Sequence, residues 1–379
     1  MASIQKINGK WRYRVSYKDE NGKYRTKTKG GFRTKKECEI AAAELERKLH
    51  RGFDVSAGDQ LFPEYMRKWF ELYKKGKYSL GHERNIELSV RLVEKYFAGV
   101  RMKDITRDMY QAFINKISKE YTLATVRKRH TYIRECLKLA REDQIIFRDP
   151  TFDVVISGEK PAKEESEKFL NYDDVKKLIQ ETKKGLDPRY VSRYIILFAI
   201  ATGARFGEIA GLTWDCVDFD EKTITFNKAW DYKGKKFKET KTYESKRTIT
   251  IDDETLKMLK EIQMIQKQRR LQSGMGEKFN PNNLVFTDMT GKVVSNEAVN
   301  KVLKKLCQRV GITTITCHGL RHTHGSILLY RGVNIKYISR RLGHKDIITT
   351  LQIYSHVLDE LEQKEARQID DMMNDLYFA

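Results

Sequence analysis

The apolar positions along this chain change period twice. Residues 11–17, "WRYRVSY", set Trp11, Tyr13, Val15 and Tyr17 against Arg12, Arg14 and Ser16, the two-residue alternation of a half-buried strand. In "ENGKYRTKTKGG" (20–31) an Asn-Gly turn leads into a second strand with basic residues at alternate positions. Thr34 and Glu37 then form a T-x-x-E capping box before the alanine-rich "ECEIAAAELERKL". The pattern predicts a small sheet packed on one helix over 1–52, with Arg12, Arg14, Arg25 and Lys27 presented outward from the other sheet face. Such a face either meets solvent or lies in a DNA major groove.

From 61 to 149 the period becomes helical. "LFPEYMRKWFELY", "NIELSVRLVEKYF", "MYQAFINKI" and "ATVRKRHTYIRECLKLA" each repeat apolar residues every three or four positions. The last carries Arg127, Lys128, Arg129 and Arg134, a basic face suited to phosphate or to solvent. "DPTFDVVISGEKPAKEESEK" (149–168) breaks the pattern with proline, glycine and charge, so 150–168 reads as a linker. A further domain spans 169–379. Asn171 is placed to cap "YDDVKKLIQETKK", and an apolar helix "YIILFAIA" ends in a turn at Thr202–Gly203. A second helix starts near Arg205, "KTITFNKAW" and "KRTITI" read as strands, and "NEAVNKVLKKLCQRV" and "LRHTHGSILLYRG" read as helices. The whole is multidomain and mainly α, with a small sheet at the N-terminus and a mixed α+β domain at the end.

Charge narrows the function. The chain has 73 Lys and Arg against 52 Asp and Glu, a formal net charge of +21. The excess is spread as +7 over 1–60, +6 over 61–165 and +8 over 166–379, so it is not a basic tail. A polyanion contacted along the whole length fits this distribution, and without a basic amphipathic anchor helix nucleic acid is favoured over a membrane surface. No apolar run approaches the roughly 18 residues of a membrane span, and "MASIQKINGKWRYRV" has no apolar signal region. Five scattered cysteines without a C-x-x-C pair fit a reduced cytoplasm.

Separate stretches of the last domain each carry a group that can handle a phosphodiester. "ATGARFGEIAGL" holds Arg205, with Glu208 one turn on, and "ETKTYESKRTITI" holds Lys241. "CHGLRHTHGS" puts His318 and Arg321 three residues apart on one helix face. "RRLGHKD" supplies His344, and Tyr354 follows ten residues later in "ITTLQIYSHV". Five of the eight histidines fall in the last 62 residues. His318 and His322 have the spacing of a zinc pair, but no H-E-x-x-H motif or third acidic ligand accompanies them. His322, His324 and His356 read as structural or phosphate-side groups, and Arg340 and Arg341 as solvated or on DNA. Tyr354, by composition alone, reads as core.

The order Arg, Lys, His-x-x-Arg, His, Tyr resembles the tyrosine recombinase (phage integrase) family. "ATGARFGEIAGL", "HGLRHTHGS" and "LGHKDIITTLQIYSH" carry the likeness, which spans 169–379. Residues 61–149 are similar to the family's core-binding domain, and 1–52 to the arm-binding domain of integrases of temperate phages and conjugative transposons. The resemblance implies a site-specific recombinase acting on double-stranded DNA at core and arm sites through a 3′-phosphotyrosyl intermediate. Tyr354 would be the nucleophile, Arg205 and Arg321 the phosphate clamp, His318 the general base and Lys241 the general acid. His344 would hydrogen-bond the phosphate and Glu208 would support the site. No metal, ATP or other cofactor is implied. A prokaryotic, nucleoid-associated setting and a homotetramer follow, with an accessory excision factor or DNA-bending protein as a further partner. The tail "LDELEQKEARQIDDMMNDLYF" would fold back on its own domain or, as in the family, pack onto a neighbour. Two rival readings stand beside this one: a type IB topoisomerase, which shares the chemistry, and a catalytically inactive DNA-binding regulator.

Overall fold

The computed structural model describes residues 2–18, 22–50, 57–161, 169–232, 234–239, 245–354 and 377. The chain divides into two compact units, 1–162 and 163–379, and no described helix is long and apolar enough to cross a membrane.

The first unit opens with an antiparallel sheet of β1 (Ser3–Ile7), β2 (Lys10–Lys18) and β3 (Tyr24–Phe32), followed by α1 (Lys35–His50). The capping box forms: the Thr34 hydroxyl accepts from Glu37 N at 3.2 Å, and the Glu37 carboxylate accepts from Thr34 N at 3.3 Å. Alternation along β2 buries Tyr13 and Val15 against Cys38 and Ala42 of α1. Asn21 of the expected turn lies outside the described residues. The register corrects the expected basic face. Arg12 and Arg14 stand opposite Gly30 and Thr28, whereas Arg25 and Lys27 stand opposite Tyr17 and Val15. Cross-strand neighbours share a face, so only Arg12 and Arg14 lie on the open side. Arg25 and Lys27 lie on the side that carries α1, and the Lys27 ammonium is 3.3 Å from Asp59. Alternation within each strand was read correctly; which two sets coincide depends on pairing register.

The remainder of this unit is α2 (Phe62–Tyr73), α3 (Leu80–Tyr96), α4 (Arg107–Glu120) and α5 (Leu123–Glu142). Pro63 sits in the first turn of α2, and Ser79 and Thr106 cap α3 and α4 through their hydroxyls. Their inner faces bury Phe62, Met66, Val90, Phe113, Ile114, Ile133 and Leu137 in one core. Arg127 and Lys128 are exposed, but Arg129 is 7% exposed. Its guanidinium donates to the Asn85 carbonyl of α3, so it is a core strut and not part of a DNA-facing surface. Helical spacing explains the correction, because 129 shares the inward face of Val126 and Ile133.

The expected linker over 150–168 is docked in its first half. Val154 and Ile156 pack on the helical core. Gln111 exchanges hydrogen bonds with the Val155 backbone at 2.9 Å, and Ser118 holds the carbonyl of Ser157 at 2.8 Å.

The second unit starts at α6 (Tyr172–Lys183), capped by the Asn171 side chain at 2.8 Å. The central α7 (Ser192–Thr202) is buried and apolar along most of its length, and α8 (Phe206–Ala210) follows. Next come β4 (Val217–Asp218), β5 (Thr223–Phe226), β6 (Lys228–Asp231), β7 (Lys236–Glu239) and β8 (Arg247–Thr250). They form a sheet of order β4-β5-β8 and a separate β6-β7 hairpin. Helices α9 (Asp253–Gln272), α10 (Asn296–Arg309), α11 (Cys317–Tyr330) and α12 (Ile335–Leu342) complete the unit, and residues 347–354 are helical. The core joins Phe198, Phe226, Leu259, Phe286, Leu303 and Leu320.

Replacing Arg129 by Ala removes a buried charge-assisted hydrogen bond between α5 and α3, although the Asn85 carbonyl still accepts from the Ser89 hydroxyl at 3.3 Å; the loss costs roughly 1–3 kcal/mol. Thermal melts should show that loss, whereas Arg127→Ala, at an exposed position, should leave the melt in place.

Candidate active site

A helix ends with carbonyls that no backbone N–H of its own can satisfy. At the end of α12 the carbonyls of Arg341, Leu342 and Gly343 each take a different arginine. Arg247 Nε donates to Arg341 O at 2.6 Å, Arg321 Nη2 to Leu342 O at 2.7 Å, and Arg205 Nη2 to Gly343 O at 2.9 Å. The negative end of the helix dipole favours cations there. Gly343 closes the helix in the left-handed conformation, which turns the last carbonyls toward this cluster.

Each arginine is held a second time. Arg321 Nη1 donates to Gly203 O at 2.9 Å. Gly203 has φ +65°, and a Cβ there would come within 2.6 Å of His324 and 2.7 Å of Leu342, so only glycine brings this carbonyl so close. Glu208, 3% exposed, joins the other two: its carboxylate accepts from Arg205 Nη1 at 2.9 Å and from Arg247 Nη2 at 2.8 Å. Burial alone would raise the Glu208 pKa, but the hydrogen bond and charge of Arg247, with the charge of Arg205, hold it below the usual carboxylate range. The carboxylate therefore stays ionised and offsets part of the arginine charge. Burial and the neighbouring Arg205 pull Arg321 down to about 9, which leaves it cationic at neutral pH.

The histidines face the same charges. His318 is lowered from its ordinary value by desolvation and then by Arg321 and Arg205. His344, next in chain to Gly343, pairs its Nδ1 with Thr350 Oγ1 at 2.8 Å. Desolvation, then Arg321 and Arg205, push it down to about 3. Both rings are neutral near pH 7. The His318 and His322 rings meet edge to face at 4.6 Å, and no group of three metal-ligating side chains occurs among the described residues. Tyr354 is 1% exposed, packed with Leu329, Ile338 and Leu342, and its hydroxyl has no hydrogen-bond partner. Burial raises its pKa to about 12, although Arg321 acts in the opposite direction. Lys241 lies outside the described residues.

The profile of the phage integrase family matches residues 168–360, the same segment that holds these side chains. The chain belongs to the phage integrase family. As a member it is a tyrosine-type site-specific recombinase, and an arm DNA-binding domain is matched over residues 3–49. A XerC-like tyrosine recombinase of Caldanaerobacter subterraneus subsp. tengcongensis is 29% identical, with 96% of this chain and 97% of the relative aligned. The ICEBs1 integrase of Bacillus subtilis is 24% identical over 98% of this chain and all of its own length (100%). Among solved structures, the Tn1549 transposon integrase in complex with transposon right end DNA superimposes with a TM-score of 0.64 at 17% identity. It covers 81% of this chain and 99% of its own. A lambda integrase tetramer bound to a Holliday junction gives 0.58 at 14%, over 91% and 95% of the two chains.

Within this integrase fold, the structure gathers Arg205, Glu208, His318, Arg321, His344 and Tyr354 in one neighbourhood. Arg247 was missed by sequence reasoning. It sits between Lys246 and Thr248 in a strand, where a basic residue carries no distinguishing signal. Arg341 was expected in solvent or on DNA, and it is instead fixed: Nη1 reaches Thr250 O and Nη2 reaches Ala201 O, both at 3.2 Å. Its Nε donates to His324 Nε2 at 3.1 Å, while His324 Nδ1 lies 2.8 Å from Ile200 O. A carbonyl can only accept, so Nδ1 carries the proton and Nε2 is the bare acceptor that Arg341 requires. This bracket ties α12 to α11 and works only with neutral His324, whose pKa burial and Arg341 push down to about 4.

The sign of the pH effect follows. His324 and His344 bind protons more weakly folded than unfolded, so their contribution is complete above about 6.5 and declines as pH falls toward 4 and then 3. Thermal melts should drop steadily across pH 6.5 to 4, with a loss for His324 on the order of 3 kcal/mol by pH 4. His324→Gln should flatten that slope; an equally steep one would remove His324 from the explanation.

Proposed function

We propose that this recombinase cuts and rejoins DNA strands through Tyr354. The observation that carries this reading is the meeting of Arg205 and Arg321 on the adjacent carbonyls Gly343 and Leu342, with His344 next in the chain. Two guanidiniums fixed side by side suit the two non-bridging oxygens of a phosphodiester, on which charge builds as it is attacked. Lysine has no planar fork with which to replace either. The Tyr354 oxygen would bond to phosphorus and its proton would pass to neutral His318. The bond to the 5′ oxygen would break as Lys241 supplies that oxygen with a proton. His344 would donate its remaining ring N–H to the phosphate when Nδ1 accepts from Thr350. Glu208 takes no proton and holds Arg205 and Arg247. The 3′-phosphotyrosyl bond keeps the energy of the broken linkage, so a partner strand's 5′-hydroxyl can reverse the step without ATP.

In this reading the chain has three domains. Residues 1–52 bind arm sites, with Arg12 and Arg14 toward DNA. Residues 61–149 and 169–379 bind core sites, with Arg127 and Lys128 on phosphates. Four copies exchange their C-terminal tails and act in turn, in the cytoplasm on nucleoid DNA, with an excision factor or DNA-bending protein setting direction. The DNA-bound integrases among the structural neighbours support this assembly as an analogy.

Tyr354→Phe should leave DNA affinity nearly unchanged and abolish the covalent adduct on a nicked suicide substrate. A surviving adduct would sink the assignment of the nucleophile. Lys241→Ala should slow cleavage of ordinary DNA far more than cleavage of a 5′-bridging phosphorothioate, whose sulfur leaves without a proton. Equal slowing of both substrates would exclude Lys241 as the acid.

A further inference from the structure

Gly325 lies in the interior of α11, four residues beyond Arg321 and on the same face. Its backbone is not in the left-handed region, so the local conformation does not call for glycine. Alanine would be the better helix former. The reason for glycine is what lies over it. A Cβ at 325 would sit 2.1 Å from the Tyr354 hydroxyl oxygen, 2.3 Å from Cζ and 2.9 Å from Cε1. The missing methyl is the space the phenol tip occupies.

We infer that Gly325 forms a notch that parks Tyr354 in a resting position, which the tyrosine must leave before it attacks DNA. The inference rests on the reading of Tyr354 as the nucleophile. In the notch the hydroxyl has no hydrogen-bond partner, so no base is within reach of its proton and no cation is bonded to its oxygen. Burying an unpartnered hydroxyl costs free energy. The pose persists because the ring packs among Leu329, Ile338 and Leu342, with His322 edge-on at 6.3 Å. Arg321 lies one helical turn away along the same face of α11. A hydroxyl held this way is shielded from water and from premature chemistry while remaining within a short movement of the clamp. The cleavage rate is reduced by the fraction of molecules in the notch.

Gly325→Ala fills the notch and evicts the phenol tip. With the full-length chain on a nicked half-site, single-turnover adduct formation should rise several-fold while DNA affinity stays unchanged. A rate equal to or below the parent's would overturn the resting assignment. In the Gly325→Ala background, Tyr354→Phe should give no adduct; an adduct there would instead overturn the nucleophile reading. A 3-fluorotyrosine placed at 354 in the otherwise unaltered chain reports independently of whether the variant folds. Its fluorine resonance should be insensitive to solvent and should titrate above free fluorotyrosine before DNA is added. A solvent-exposed label titrating like the free amino acid would end the proposal.

Discussion

The site depends on the unsatisfied carbonyls at the end of α12. Three consecutive carbonyl oxygens each receive a guanidinium from a different part of the chain: Arg205 before α8, Arg247 on β8 and Arg321 on α11. Like charges gathered this closely repel, and desolvation adds to the cost. The helix end, the buried Glu208 and the carbonyl of Gly203 offset both terms. These anchors also fix the planes of the guanidiniums in advance. In the proposed mechanism a phosphate would meet preorganised donors and would not have to order flexible ones, which is the main electrostatic advantage an enzyme has over water.

Much of the fold was legible because local rules agree with the final structure. The capping box at Thr34, the cap at Asn171 and the turn at Gly203 follow the sequence pattern, and the helical period of 61–149 appears as four helices that end at Glu142. The catalytic candidates were legible through their order along the chain, since Tyr354 by itself reads as any buried aromatic. What escaped had a tertiary cause. Arg129 and Arg341 look like surface cations in sequence, and both are buried or pinned by carbonyls contributed by distant segments. Arg247 is one more basic residue in a polar strand until Glu208 and the end of α12 are placed beside it.

The N-terminal sheet shows the same limit in another form. Each strand's alternation is plain, yet the pairing decides that Arg12 and Arg14 share a face with Gly30 and Thr28. Arg25 and Lys27 go with Tyr17 and Val15. The open face is thus less basic than composition suggested, and Lys27 is engaged with Asp59 in a pair that also draws in Lys103 at 2.6 Å. The segment after α5 makes a related point: its proline, glycine and charge read as a free connection, while its backbone polar groups find partners on α4 through Gln111 and Ser118.

Leu342 has two duties that are chemically separate. Its carbonyl holds Arg321, and its side chain packs in the cluster that surrounds the Tyr354 ring. Seating of the tyrosine and seating of the arginine therefore share one residue of one short helix. In the proposed mechanism linkage would make any coupling between the two reciprocal: whatever a phosphate held by the two arginines did to the tyrosine's equilibrium, the tyrosine would do equally to the phosphate's affinity. On that proposal, substrate engagement and nucleophile release would be two readings of one thermodynamic quantity, carried by a helix of eight residues.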